Sequence, residues 1–231
     1  MKNIKGEGAF FDKVIKDFYK EIGSFRSSVS RGQIFWTYVR YSTENLQFWR
    51  PKKLDDTKTC AAEFVISSST ADAFNRNIPL QAPPLKINEE FIVVRAKKRP
   101  VILLSSEPEK IEAREVRGGE KVNLNLCIVA PLYTVSDKDG FAKYDEDVVN
   151  RTRMLEFPNL FFLPEYRRIR HSICRLDCIQ ACFSNHMEAT EVCLNNQVLN
   201  VFLGQVNFYL TGEYKGDYQV YRECLQNPEL C

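Results

Sequence analysis

Three short apolar runs constrain the fold of this chain more than any other feature of its sequence. The runs are 30–36, 98–105 and 126–134. Each is bounded by a turn signal or a charged residue, which is typical of a buried β-strand. A chain with several such runs folds around a β-sheet, so the sequence predicts a mainly β, α+β protein.

Further segments extend this organisation. Strands are predicted over 33–41, 62–67, 91–95, 100–105, 122–131 and 172–179. Apolar residues three and four positions apart predict helices over 8–23 and 190–210. The first helix either covers an open end of the sheet or binds a partner. Residues 96–99 are predicted to form a turn or bulge, and 211–231 a polar peripheral tail.

A long stretch separates the first strand from the next confident ones. Residues 42–90 include the loop 77–84, which holds three prolines within six residues. Such a loop cannot lie in the centre of a sheet, because proline has no backbone donor for the ladder. We therefore interpret 42–90 as an insertion.

The order and wording of the three runs resemble the MazF/PemK family of toxin endoribonucleases. In that family an Arg-Gly-Asp-Ile-x-Trp strand opens a small barrel, an Arg-Pro-Val-Val-Val-Leu strand holds a catalytic arginine, and a Val-x-Pro-Leu-Thr strand end holds a catalytic threonine. The matching segments here are 31–36, 99–104 and 129–134. A fourth segment, 171–180, is similar to the family's late Asp-Ser-Val-Val-x-Leu-Asp-Gln-Ile-Arg strand.

The resemblance implies a small SH3-like antiparallel β-barrel of the MazF/PemK type, with an N-terminal helix, a large insertion and a C-terminal helix. The expected organisation is an N-terminal helical extension over 1–28, a barrel domain over 29–212 with the insertion at 42–90, and a C-terminal tail over 213–231. The implied activity is cleavage of single-stranded RNA without a metal or other cofactor. A homodimer and a cognate antitoxin protein are the implied partners.

Metal-free RNA cleavage requires activation of the ribose 2′-hydroxyl, stabilisation of the charged transition state and protonation of the leaving oxygen. Arginine supplies a fixed positive charge and a forked set of donors that matches phosphate. The resemblance implies that Arg99 is the catalytic arginine, which stabilises and protonates the scissile phosphate.

The hydroxyl that would position the phosphate is open between two residues. Counted from Pro131, the family's threonine position falls on Tyr133, and Thr134 follows one residue later. A shift of one residue reverses the face of a strand side chain. Either a bulge returns Thr134 to the site, or the Tyr133 phenol takes the role, or the site has lost its activity.

Basic and aromatic residues near these segments are candidates for RNA binding. Flanking phosphates are expected to contact Arg95, Lys97 and Lys98. Arg31 and Trp49 lie in a region of interleaved aromatic and basic residues, a pattern that suits stacking on unpaired bases but also occurs where one strand face forms the core. The alternative to an enzyme is a non-catalytic barrel module that binds nucleic acid or a protein partner.

Cysteine and histidine residues form one further series. It comprises His171, Cys174, Cys178, Cys182 and His186, which are ligand types that zinc accepts. The spacing matches no standard zinc pattern, so no metal site is predicted. The eight cysteines are interpreted as reduced, mostly buried thiols.

Charge and hydropathy limit the remaining classes. The 231 residues include 32 basic and 30 acidic side chains, a net charge of +2, so an RNA site must arise from local clustering. No apolar run is long enough to span a bilayer and no secretory signal is evident, which predicts a cytoplasmic protein without a membrane partner. Phosphate-loop, dinucleotide, nucleophile-elbow and zinc-hydrolase motifs do not occur.

Overall fold

A computed structural model describes residues 10–22, 30–41, 45, 47–53, 63–67, 92–105 and 126–227. The chain divides into two compact units. The first comprises Met1–Val39 together with Lys98–Cys231, and the second comprises Arg40–Lys97. The predicted insertion at 42–90 falls within the second unit, whereas the predicted N-terminal extension and C-terminal tail belong to the first.

The described residues are mainly antiparallel β-sheet with a few helices, which confirms the predicted α+β class. The helices are α1 Phe11–Val14, α2 Glu146–Arg153, α3 Asn196–Thr211 and α4 Gly216–Gln226. The strands are β1 Tyr19–Glu21, β2 Gln33–Arg40, β3 Gln47–Lys53, β4 Glu63–Ser67, β5 Ile92–Val93, β6 Ala96–Leu103, β7 Leu126–Thr134, β8 Leu160–Leu163, β9 Ser172–Arg175, β10 Gln180–Phe183 and β11 Glu188–Leu194. Short 3-10 helices occur at Leu176–Cys178 and Ser184–His186.

Eight of the described strands form one sheet, in the order β1-β11-β2-β6-β7-β9-β8, with β10 also paired to β7. Strand β7 organises this sheet, because β6 pairs with one of its edges while β9 and β10 share the other. The 3-10 turn Leu176–Cys178 separates β9 from β10 and interrupts the pairing opposite Pro131. Proline is tolerated at such an interruption, since no ladder donor is needed there.

Alternating side chains of the sheet contribute to two hydrophobic cores, one on each face. Ile34, Ile102 and Ala130 lie in the larger core, where they pack with helices α3 and α4. Their neighbours along the strands face the smaller core, which contains Phe35, Val39, Val101, Leu103, Cys127 and Val129. The same alternation determines which polar side chains of neighbouring strands lie on the same face of the sheet.

Helix α3 is anchored at both ends and along its buried face. The Asn195 side chain accepts a hydrogen bond from the backbone nitrogen of Val198 at 2.7 Å, and the helix ends at Gly212 with a left-handed φ of 75°. Midway, the buried amide of Gln205 donates to the carbonyl oxygens of Phe157 and Leu160 at 2.8 and 2.7 Å. These bonds fix α3 against the segment that enters β8.

The helix predicted over 8–23 is wrong over the described residues of that range. Only Phe11–Val14 is helical, and Tyr19–Glu21 is a strand that pairs with β11. The apolar spacing is explained by packing, because Phe11, Ile15 and Phe18 are all buried in the larger core although the helix ends at Val14.

Other predicted boundaries also change. Residues 190–194 belong to strand β11 rather than to a helix, because they lie between β1 and β2 in the sheet. Residues 96–99 continue strand β6, and the strand predicted over 172–179 ends at Arg175. The predicted polar tail contains helix α4, whose Tyr218 is fully buried in the larger core.

The second unit contains a three-stranded sheet in the order β4-β3-β5. Strand β3 pairs with β4 antiparallel, and the register shifts between Pro51 and Lys53, as expected where a proline interrupts a ladder. Strand β4 matches the strand predicted over 62–67 closely. Among the described residues, no helix is both long and apolar enough to span a membrane.

Candidate functional site

Strands β6 and β7 bring Arg99 and Tyr133 together. Val101 of β6 pairs with Pro131 of β7, so two residues further along this antiparallel pair Arg99 lies opposite Tyr133 on the same face of the sheet. The guanidinium carbon of Arg99 lies 4.5 Å from the centre of the Tyr133 ring. This distance defines a cation–π contact between two of the residues predicted as catalytic.

Thr134 lies on the opposite face of β7. The register of β7 is continuous over Leu132–Thr134, where it pairs with β9, so no bulge returns Thr134 to the side of Arg99. Its hydroxyl oxygen instead accepts a hydrogen bond from Lys143 Nζ at 3.1 Å. Of the alternatives left open by the sequence, the geometry places Tyr133, and not Thr134, beside Arg99.

A second guanidinium contacts the same ring. Arg175, the last residue of β9, has its guanidinium carbon 5.5 Å from the centre of the Tyr133 ring. Ile173 pairs with Tyr133, and Arg175 lies two residues beyond on the same face. Sequence analysis did not select this arginine, although it lies in the 171–180 segment that resembles the family strand.

Asp177 holds Arg175 through a two-point ion pair. Arg175 Nε donates to Asp177 Oδ1 at 3.1 Å, and Nη2 donates to Oδ2. This hydrogen bonding raises the pKa of the Arg175 guanidinium above its usual value. The two side chains are 29% and 26% exposed, so the pair is accessible to a ligand while its geometry is fixed.

The phenol of Tyr133 interacts with the Cys178 side chain. Burial raises the pKa of Tyr133 to about 12, and the electrostatic and hydrogen-bonding interactions with the Cys178 side chain act in the same direction. The two neighbouring guanidinium groups oppose this shift but do not reverse it. The phenol is therefore protonated at neutral pH, and its ring face rather than its oxygen contacts Arg99.

Tyr144 completes the group of side chains around this position. It is half-buried, and burial is the main cause that raises the pKa of its phenol. The charges of Arg175, Asp177 and Arg99 also act on it, which places it within electrostatic range of all three. Like Tyr133, Tyr144 is a neutral hydrogen-bonding group at neutral pH.

Two of the predicted RNA-binding residues, Arg31 and Lys98, belong to the first unit, and Lys97 is the last residue of the second. Lys98 Nζ lies 2.5 Å from Glu188 Oε1 in an ion pair whose side chains are exposed. Lys97 and Arg31 are also exposed. Their positive charge is therefore presented to solvent.

The remaining two predicted RNA-binding residues, Arg95 and Trp49, also belong to the second unit. Arg95 is exposed, and its guanidinium carbon lies 5.3 Å from the centre of the Tyr41 ring. Trp49 lies in β3 opposite Ile66 of β4.

The cysteine and histidine series does not form a cluster. Within the described parts of the chain, no group of three or more histidine, cysteine or acidic residues has the geometry to hold a metal ion. Cys174 and Cys178 are buried, whereas His171 accepts a hydrogen bond from the Glu165 backbone nitrogen at 3.0 Å.

One cysteine departs from the prediction that the thiols are reduced. Cys224 forms a disulfide. Of the other cysteines that are described, Cys127, Cys174, Cys178, Cys182 and Cys193 form none. Burial raises the pKa of Cys127, Cys174 and Cys193, so these thiols are protonated at neutral pH.

Comparison with known proteins assigns no family to this chain. No protein-family model matches the sequence. No curated protein matches it significantly either.

Proposed function

We propose that this chain is a MazF/PemK-like endoribonuclease that cleaves single-stranded RNA without metal at Arg99. The observation that supports the proposal is the contact at 4.5 Å between the Arg99 guanidinium and the Tyr133 ring, which lie on two adjacent strands. The proposed fold is an SH3-like barrel of this type, and the interrupted antiparallel pairing along β7 and β11 is consistent with a strongly bent sheet.

The proposed reaction is a transesterification within the RNA strand. The ribose 2′-oxygen loses its proton and attacks phosphorus, while the bond to the 5′-oxygen breaks and that oxygen gains a proton. The products are a 2′,3′-cyclic phosphate and a 5′-hydroxyl, with no net change in protons. Arg99 stabilises the added negative charge on the phosphoryl oxygens, because its charge is fixed and its donors match two oxygens at once.

Tyr133 has a positioning role in this proposal. Its ring supports the Arg99 guanidinium, and its hydroxyl is engaged with Cys178. A guanidinium held against a ring loses less conformational freedom when it binds phosphate than one that moves freely. The proposal further includes action in the cytoplasm, a homodimer and a cognate antitoxin protein.

The decisive experiment is cleavage of a long single-stranded RNA by the purified protein in EDTA. We expect cleavage by the unmodified protein and a loss of about a hundredfold or more for Arg99→Ala. Arg151→Ala is the matched control, because Arg151 also lies 4.5 Å from an aromatic ring, that of Phe157, and is ion-paired with Glu156. Cleavage that survives Arg99→Ala, or that Arg151→Ala also abolishes, contradicts the proposed site.

A non-catalytic module that binds nucleic acid or a protein is the second candidate. The observation in its favour is that neither hydroxyl expected from the sequence is available to a phosphate. Thr134 lies on the other face and accepts a hydrogen bond from Lys143, and the Tyr133 phenol interacts with the Cys178 side chain. Folded protein that binds RNA but leaves it intact in the same assay supports this candidate.

A further inference from the structure

Tyr133 is contacted by guanidinium groups from both neighbouring strands. Arg99 of β6 and Arg175 of β9 lie 4.5 and 5.5 Å from the ring centre, both within the roughly 6 Å of a cation–π contact. Because β6 and β9 pair with opposite edges of β7, the two cations approach the ring from its two sides along the sheet. One aromatic ring thus brings two fixed positive charges close together on one face.

Arg175 is oriented as well as placed. A guanidinium has five N–H donors, and the two bonds to Asp177 use one on Nε and one on Nη2. The remaining donors can bind a second acceptor without breaking the pair. Since 29% of the Arg175 side chain is exposed, a ligand can reach it from solvent.

Two neighbouring guanidinium groups suit a ligand with closely spaced phosphates. Each arginine fork matches the oxygens of one phosphate. The backbone of a single-stranded nucleic acid offers such phosphates one after another. The flat aromatic ring keeps both guanidinium forks in place. Contacts of this kind with the nucleic acid backbone do not depend on its base sequence.

We propose that Arg175 is a second phosphate-binding residue of the Arg99 site, and that Asp177 is a positioning residue that orients it. The ligand is the sugar–phosphate backbone of single-stranded RNA, with Arg99 on one phosphate and Arg175 on the next. The identification of the ligand as RNA depends on the proposed function.

The test measures binding separately from cleavage. The probe is a short, fluorescein-labelled 2′-O-methyl oligonucleotide, which has no free 2′-hydroxyl and so cannot be cleaved by the proposed reaction. Fluorescence anisotropy gives its affinity between about 50 and 200 mM salt. We expect Arg175→Ala to bind about tenfold more weakly and to reduce the slope of log affinity against log salt by about 0.7, the loss of one phosphate contact to a single strand. Arg151→Ala, the matched control, is expected to change neither quantity.

Asp177→Asn separates positioning from simple charge. Removal of a negative charge beside the site would strengthen anion binding if only net charge mattered. If Asp177 orients Arg175, the variant binds the probe several-fold more weakly although the protein has become more positive. Arg175→Lys keeps the charge but loses the fork, so we expect it to retain the salt slope and still lose affinity.

The outcomes distinguish this inference from the proposed function. Equal affinity and slope for Arg175→Ala and Arg151→Ala overturn it, as does tighter binding by Asp177→Asn or an unmodified protein that does not bind the probe. Binding that depends on Arg175 in a protein that never cleaves RNA supports the inference and refutes the nuclease. Cleavage that depends on Arg99 but not on Arg175 supports the nuclease and refutes the inference about Arg175.

Discussion

Replacement of Asp12 by asparagine is expected to destabilise the first unit by about 3 kcal/mol. Asp12 forms a two-point ion pair with Arg153, in which Nε–Oδ1 is 2.8 Å and Nη2–Oδ2 is 2.9 Å. The side chains are 5% and 17% exposed, so the pair is largely removed from water. Asparagine preserves size and shape, and the change therefore leaves the Arg153 charge buried without its counter-charge.

The surroundings of Arg153 determine the size of the effect. Its guanidinium carbon lies 3.8 Å from the centre of the Phe10 ring and 5.3 Å from that of Phe162. These contacts hold the side chain in place and prevent it from turning into solvent once Asp12 is changed. Breaking a buried pair costs about 3–5 kcal/mol, and the remaining exposure of Arg153 places this case at the lower end.

The assay is urea unfolding, in which a lower midpoint at unchanged slope measures the lost stability. Glu21→Gln is the control, because Glu21 pairs with Arg167 in an exposed position, where solvent screening leaves an ion pair little effect on stability. In an Arg153→Met background, Asp12→Asn is expected to cost much less, since no charge is left unpaired. A loss no larger than that of Glu21→Gln would refute the reasoning.

Three further predictions concern individual residues. Tyr133→Phe keeps the ring beside Arg99 and is expected to retain RNA cleavage within about threefold, whereas Tyr133→Leu removes the ring and is expected to lower kcat/KM about tenfold; equal effects would contradict the positioning role. Gly32 has φ of +84° and an added Cβ would lie 2.9 Å from Leu199 Cδ1, so Gly32→Ala is expected to cost about 2 kcal/mol in urea unfolding, and a cost near zero would refute this. Burial raises the pKa of Tyr133 and Tyr218 to about 12. Because the folded-state pKa exceeds the unfolded value of about 10, stability is expected to be retained below pH 10 and lost as pH rises from 10 to 12, with a shallower loss in Tyr218→Phe; stability that rises over this range would contradict the assignment.

Local patterns predicted the central strands well. The strand expected over 33–41 is Gln33–Arg40. Its first three residues are buried in succession, as expected where both faces are covered, and burial alternates from Trp36 to Arg40. The helix expected over 8–23 failed because apolar residues at helical spacing also occur where a short turn is followed by a strand. Only pairing with β11, a contact with a distant part of the chain, decides between the two.

The site shows the same division between local and distant information. Counting from Pro131 placed Tyr133 at the family's threonine position but left the choice between Tyr133 and Thr134 open, because a bulge can change which face a strand side chain occupies. The continuous pairing with β9, a distant part of the chain, puts Tyr133 beside Arg99. Arg175 and Asp177 were not identified, since the predicted strand continued through 179 whereas the chain turns at Leu176–Cys178. That turn brings Asp177 onto Arg175 and Cys178 onto Tyr133.

The segment around Gln33 shows which part of the family resemblance reflects the structure of the sheet and which part concerns catalysis. The family has aspartate at this position, and here the buried amide of Gln33 accepts from the Ser30 backbone nitrogen at 3.2 Å and donates to the Thr190 carbonyl at 3.0 Å. A carboxylate could provide the first bond but would repel the carbonyl oxygen in the second. The position therefore requires a residue with both a donor and an acceptor.

The neighbouring glycine connects this segment to the strand that holds Arg99. The backbone N–H of Gly32 donates to the Leu103 carbonyl at 2.8 Å, and the Gly32 carbonyl accepts from the Leu194 N–H at 3.0 Å. Gly32 therefore links β6 to β11. Gly32 and Gln33 are thus explained by the hydrogen bonding and packing of the sheet alone. The chemical part of the resemblance consequently depends on Arg99 and its neighbours on β7 and β9, which is where variants distinguish an enzyme from a binding module.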